Sequence, residues 1–267
     1  MKLVNSYCFV VFLLLNSPLF AQLSPPGLDD TQAVAWGAVG FSQALGKKVT
    51  LIAYGGLGRL GEPTHWAPLQ KPGIGVYNQE FQYKFSTQWQ LSLAQSFRAQ
   101  NLYSKEDPYE AEDPSQRFEL RYYARLYHKR TLGKLAATYS FRPELRTFYS
   151  PLWEAASRPL ELRFRLKGQV SLPLDEHKAN FIIGANEILT ALDEYQSEVP
   201  FDHRHTWSGY HFTEDRLALY FRHVFKKSDV TFDVGVMEQF KSGGHFEPVS
   251  YLAFDVLFQN PFSKHIH

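Results

Sequence analysis

The chain has 267 residues, a formal net charge of +1, 44% hydrophobic and 16% aromatic residues, and a mean hydropathy of −0.31. It is too apolar and too aromatic for a disordered chain, and its balanced charge gives no electrostatic reason to expect nucleic acid. No apolar run beyond the N-terminus approaches the ~20 residues of a spanning helix, which excludes a helical membrane protein.

Residues 1–21, MKLVNSYCFVVFLLLNSPLFA, read as a secretory signal peptide: Lys2 supplies the charge, Tyr7 to Leu15 the apolar stretch, and Ala21 a small residue before a cut at Gln22. Its apolar run is too short for a membrane anchor. Cys8, the one cysteine, lies within it, so residues 22–267 have no thiol for a disulfide or a metal. Removing Lys2 leaves 27 basic residues against 27 acids.

The body alternates with period two, the signature of strands with two unlike faces. Residues 33–45 and 48–60 form a weakly patterned, Gly- and Ala-rich first pair. Residues 74–85 set Tyr77, Phe81, Tyr83 and Phe85 against Asn78, Glu80, Gln82 and Lys84, and residues 89–100 set Trp89, Leu91, Leu93 and Phe97 against Gln90, Ser92, Ser96 and Arg98. Gln79 and Gln95 interrupt the apolar parity. In 116–129, Arg117, Glu119, Arg121, Tyr123, Arg125 and Tyr127 oppose Phe118, Leu120, Tyr122, Ala124, Leu126 and His128. Residues 134–146 and 160–172 repeat this, with Arg142, Glu144 and Arg146, then Glu161, Arg163 and Arg165, on the charged parity. Residues 181–190 choose no face, 216–225 oppose Leu217, Leu219, Phe221 and Phe225 to Arg216, Tyr220 and Arg222, and 230–241 and 249–258 complete the series.

Connections alternate between short turns, such as Gly46-Lys47 and Thr131-Gly133, and long loops at 61–72, 103–114, 148–158, 193–212 and 242–248. With strands of roughly 10–14 residues, this is the layout of an antiparallel transmembrane β-barrel. The pattern predicts one barrel domain over 22–267. Eleven strands are counted directly. Because bacterial single-chain barrels use even numbers, twelve are expected, with ten as the alternative and the twelfth sought near Thr206–Phe212.

A secreted soluble β-protein also alternates. The charged parity here is rich in arginine, whose planar fork suits enclosed carboxylate pairs better than open solvent. The sequence therefore places Arg117, Glu119, Arg121, Arg125, Arg142, Glu144, Arg146, Glu161, Arg163, Arg165, Arg216 and Arg222 in the lumen as a polar network, and the apolar parity against lipid. Glu80 and Asp233 are further candidate partners for these arginines.

The Trp36 strand, the segments RFELRYYARLY and LELRFRL, and the block running from Asn186-Glu187 through Asp215-Arg216 to VTFDVGVMEQF resemble the outer-membrane proteins of domain-of-unknown-function family 2490. The resemblance implies a Gram-negative outer-membrane β-barrel and assigns no activity.

Chemistry-bearing motifs are sparse. Asp202, His203, His205 and His211 contain metal-ligand types, but the spacing fits no known motif and Arg204 opposes a cation, so no metal is assigned. Ser208 and His211, with Glu187 or Asp193 to orient the imidazole, are the pieces of a lipid-acting hydrolase, yet nothing in the sequence joins them and no catalytic residue is assigned. Gly55 to Gly61 lacks the following helix of a phosphate loop. No cofactor is called for. The expectation is an outer-membrane barrel partnered by lipid, structural or narrowly transporting. An anion channel, a lipid-modifying enzyme and a secreted ligand-binding barrel stand as the alternatives.

Overall fold

The computed structural model describes residues 25–28, 30–196, 205–242 and 248–263. The predicted signal peptide lies outside these residues. The described chain is all β: β1 (Ala33–Ala44), β2 (Val49–Leu60), β3 (Lys71–Lys84), β4 (Trp89–Tyr103), β5 (Ala111–Leu132), β6 (Leu135–Tyr149), β7 (Ala155–Pro173), β8 (Asn180–Gln196), β9 (His205–Trp207), β10 (His211–Phe225), β11 (Val230–Lys241) and β12 (Val249–Gln259).

These strands form one sheet that closes on itself as a barrel. Each strand of the ring pairs antiparallel with its neighbours, except that β1 and β12 pair parallel, Ala33 opposite Ser250 through Ser42 opposite Gln259. The three-residue β9 pairs only with β8, while β8 also pairs with β10 and so carries the ring past it. The sheet therefore has twelve strands and the closed ring eleven. The even-number rule misdirects here. An up-and-down ring of odd count must close through a parallel pair, and the β1–β12 register shows that it does.

Four of the long loops are shorter than the sequence suggests: β3 already begins at Lys71, and 193–212 is entered by β8 up to Gln196, by β9 and by β10 from His211. The stretch 103–114 shrinks to 104–110 and 148–158 to 150–154, because pairing continues to Tyr103 opposite Ala111 and Tyr149 opposite Ala155. Residues 111–116 are exposed on both faces, so β5 stands clear of the barrel body. Pro143 breaks the β5–β6 pairing, which jumps from Tyr123 opposite Glu144 to Leu126 opposite Phe141, as expected for a residue with no N–H. Gly133, with φ of 62°, makes the tight turn between these two strands. At the β7–β8 turn, Asp175 accepts the N–H groups of Ala179 (3.1 Å) and Asn180 (2.7 Å), and these donors hold its carboxyl below the usual carboxylate range.

The two parities face opposite ways. Leu93, Leu166 and Leu219 point outward, 63%, 59% and 54% exposed, while Arg121, Glu144 and Arg216 on the other parity are 1%, 3% and 2% exposed. The interior has two unlike halves. The half on β1, β2, β11 and β12 is apolar, built from Val34, Trp36, Tyr251, Ala253 and Met237 with Ile74 and Val76 of β3. Gly56 and Gly58 leave room for the Trp36 indole: a Cβ on Gly56 would sit 2.3 Å from its ring. The other half, on β3 to β8 and β10, is charged.

Residues 25–28, ahead of β1, lie inside the barrel at its long-loop end. Leu28 is fully buried and donates its N–H to the Tyr251 hydroxyl (2.7 Å), and Arg216 donates to the Pro25 carbonyl (3.2 Å). Gly27 permits this crossing, since a Cβ there would meet Arg216, Gln239 and Glu214 within 3 Å. The strap thus links β10 and β12 across the mouth to the apolar half.

Candidate functional site: a closed ring of ion pairs in the lumen

Ten inward positions on β5, β6, β7, β8 and β10 set arginine beside glutamate. Arg121 and Arg146 are direct Cα partners on β5 and β6, an arrangement of like charges that requires acids around it. Glu119 supplies one: it accepts Arg121 through Nη2 at 2.6 Å and Arg146 through Nε at 2.9 Å. Arg146 also pairs with Glu161. Glu161 accepts Arg163 at 2.7 Å, and Arg163 reaches Glu214 at 3.2 Å. Glu214 accepts Arg216 at 2.7 Å, and Arg216 lies 3.6 Å from Glu187. Glu187 lies 3.5 Å from Arg165, which pairs with Glu144 at 2.9 Å. Glu144 then returns to Arg121 at 3.2 Å.

The contacts close a circuit of five arginines and five glutamates, alternating in sign and neutral as a whole, across β5, β6, β7, β8 and β10. Each of its carboxylates serves two guanidinium groups of the circuit, and Glu144 serves Arg142 as a third. Shared charge-assisted contacts of this kind hold the side chains in one geometry and leave no member without a counter-ion.

Eight of the twelve residues singled out in the sequence belong to this circuit: Glu119, Arg121, Glu144, Arg146, Glu161, Arg163, Arg165 and Arg216. The other four lie beside it. Arg142 pairs with Glu144 and stacks over the Tyr123 ring, its guanidinium carbon 4.4 Å from the centroid. Arg125 lies 3.9 Å from Glu80, which also accepts the hydroxyls of Tyr123 (3.1 Å) and Tyr127 (2.9 Å). Arg222 grips Asp233 through Nε at 2.7 Å and Nη2 at 2.6 Å. Arg117 bonds Gln100 at 3.0 Å and lies over Phe148.

Glu187 and Glu214, needed to close the circuit, and Asp255, which accepts the Trp36 indole N–H at 3.2 Å, are not singled out by alternation. Glu187 was hidden because its neighbours on the same face, Ile183 and Leu189, are apolar and fully buried, so 181–190 shows no polar parity. The Asn186-Glu187 and Asp215-Arg216 dipeptides, quoted for the family resemblance, come together on β8 and β10. Their inward members are the Glu187–Arg216 pair, and outside the lumen Asn186 donates to Asp215 at 2.6 Å.

The rim residues considered for hydrolysis do meet in part. Nε2 of His211 lies 3.5 Å from Asp193, and Nδ1 lies 3.0 Å from the Gly209 carbonyl. The Ser208 hydroxyl accepts the Asp193 N–H at 2.8 Å and donates to the Gly209 carbonyl at 3.1 Å. Both imidazole nitrogens are thus engaged away from Ser208, and the nucleophile–base bond that acyl transfer needs is not made. Of the proposed metal ligands, Asp202 and His203 lie outside the described residues, as does the His205 side chain.

No protein-family model matches the chain, and no curated protein matches it by sequence. Among solved structures it is similar to LpxR from Salmonella typhimurium, at 8% identity and a TM-score of 0.42, over 80% of this chain and 83% of that one.

Proposed function

We propose that this chain is a Gram-negative outer-membrane β-barrel of the family 2490 type, with a structural role and a lumen filled by protein rather than an open pore. The observation that carries this reading is the closed Arg–Glu circuit. It occupies one half of the lumen, the Trp36 cluster packs the other, and the strap at Pro25–Leu28 crosses the mouth.

The exterior supports a membrane setting. One group of rings, Trp89, His128 and Tyr139, stacks at the short-turn end of β4 to β6. A second, Phe97, Phe118, Tyr149 and Trp153, packs toward the loop end. From Trp89 to Phe97 is eight residues of β4. At roughly 3.3 Å per residue and a tilt near 40°, that is about 20 Å, close to the ~25 Å apolar band between the aromatic girdles of membrane barrels.

The test pairs fractionation with electrophysiology. The protein should remain with outer membranes after a high-salt wash, migrate differently on gels before and after boiling, and show no steady conductance in planar bilayers. Recovery in the soluble fraction ends the membrane reading, and a stable open current ends the filled-lumen reading.

A further inference from the structure

We propose that the lumen binds one small oxyanion, of the sulfate or phosphate class, at Arg98. This rests on the barrel being folded as described but not on its cellular location. Arg98 lies on the inward parity of β4, two residues from the buried Ser96. The Arg98 side chain keeps an intermediate fraction of its surface open while its Nε is shielded, so the outer end of the guanidinium is the part left accessible.

Among the described residues, no carboxylate lies within ion-pair distance of Arg98, no protein acceptor meets its N–H groups, and its Nε is fully shielded. Its Cα partner on β5 is Glu119, which is already shared by Arg121 and Arg146. Those two cations oppose the charge of Arg98, and Glu119, beyond ion-pair distance and shared with both of them, supports it only in part. The circuit is neutral without Arg98, so no carboxylate in it is left over. An arginine in such a place calls for an acceptor, because guanidinium N–H groups shielded from water and left without a contacting partner are costly.

The neighbouring side chains are donors in the same condition. Tyr54, Asn78 and Ser96 are successive Cα partners across β2, β3 and β4, all on the inward parity. At about 4.8 Å between strands they form one row that continues to Arg121, with Arg98 the next inward position along β4. The Asn78 amide nitrogen and the Ser96 hydroxyl are buried with no protein partner, and the Tyr54 hydroxyl makes no hydrogen bond among the described residues. The Asn78 carbonyl oxygen is already taken by the Tyr123 hydroxyl (3.0 Å), which leaves the amide as a donor only. A planar guanidinium with several hydroxyl and amide donors matches a tetrahedral oxyanion with its many lone pairs better than a bare halide.

The experiment uses the full barrel refolded in zwitterionic detergent, with folding verified by heat-modifiable gel migration. Equilibrium dialysis against radiolabelled sulfate, and separately phosphate, at constant ionic strength should show saturable uptake approaching one anion per chain. Arg98→Gln should weaken it at least tenfold and Tyr54→Phe several-fold, while Glu112→Gln in the exposed start of β5 should leave it unchanged. Absence of saturable uptake by the folded wild type overturns the proposal, as does undiminished uptake by Arg98→Gln. If Arg98→Gln does not refold, the wild-type isotherm and Tyr54→Phe decide. Chloride that competes as well as sulfate would show charge screening in place of an oxyanion site. Loss of heat-modifiability in the wild type would refute the barrel itself, a separate failure.

Discussion

Glu119→Gln is the sharpest test of the ion-pair circuit. The substitution keeps shape and one acceptor oxygen but removes a charge that two buried guanidinium groups share, Arg121 at 2.6 Å and Arg146 at 2.9 Å. Arg121 retains Glu144 and Arg146 retains Glu161, so neither is stripped of every partner. What is lost is the neutrality of a segment in which Arg121 and Arg146 stand directly opposite one another. Breaking a buried pair by removing one partner costs roughly 3–5 kcal/mol. With a urea m-value of about 3 kcal/mol/M, this lowers the unfolding midpoint by roughly 1–1.7 M. Glu112→Gln, in the exposed start of β5, should stay within about 0.5 kcal/mol of wild type. Urea unfolding of both variants in detergent, followed by tryptophan fluorescence, makes the comparison, with bilayer current recorded in parallel. Equal midpoints together with a gain of anion conductance in Glu119→Gln would show a wet pore whose water already screens these charges, and the filled-lumen argument would fall.

Three further outcomes follow from the facing and packing. Leu166→Arg puts a charge on the outer face and should cost about 2–4 kcal/mol of folding into lipid vesicles, while Leu152→Arg, 80% exposed in the β6–β7 loop, should fold like wild type. Vesicle folding yields that do not distinguish them refute the assigned facing. Gly56→Ala drives a methyl against the Trp36 ring and should cost roughly 1–3 kcal/mol, whereas Gly55→Ala, whose added Cβ would meet only Val76 at 3.9 Å, should be silent; equal melting temperatures would show that the indole does not lie over Gly56. Leu28→Ala empties a fully buried site and should cost about 2–5 kcal/mol; an unchanged unfolding midpoint would mean that the strap is not held in the lumen.

The sequence shows its facing wherever lumen and exterior differ chemically, and hides it wherever they do not. From β3 to β7 the interior is charged and the exterior greasy, so Glu80 beside Phe81, or Arg165 beside Leu166, announces the pleat. Around β1 and β2 the interior is itself apolar. Gly56 and Gly58 are small because Trp36 covers them, and outward Gly55 is small for no reason visible in the structure. Both faces then read as Gly, Ala and Leu. The same explanation covers Ile183 and Leu189, which masked Glu187. The strap was illegible for a different cause: it has no period, and its Pro-Pro-Gly-Leu sequence reads as an ordinary lead-in to β1.

The odd strand count and the strap are one geometric problem. In a meander of eleven strands the first and last run the same way, so β1 starts at the long-loop end while β12 finishes at the short-turn end. The chain that precedes β1 must therefore meet the barrel at the mouth, where the charged half would otherwise face an opening. The strap lies there, with Arg216 of the circuit held by the Pro25 carbonyl and Leu28 seated in the apolar half. It joins the two dissimilar halves of the lumen at the point where neither alone could close it. A ring of even count with both ends at the turn side would have no segment in that position. On this reasoning the eleven-strand closure is what brings a plug to the mouth, and Gly27 is the residue that lets the backbone pass between Arg216, Gln239 and Glu214.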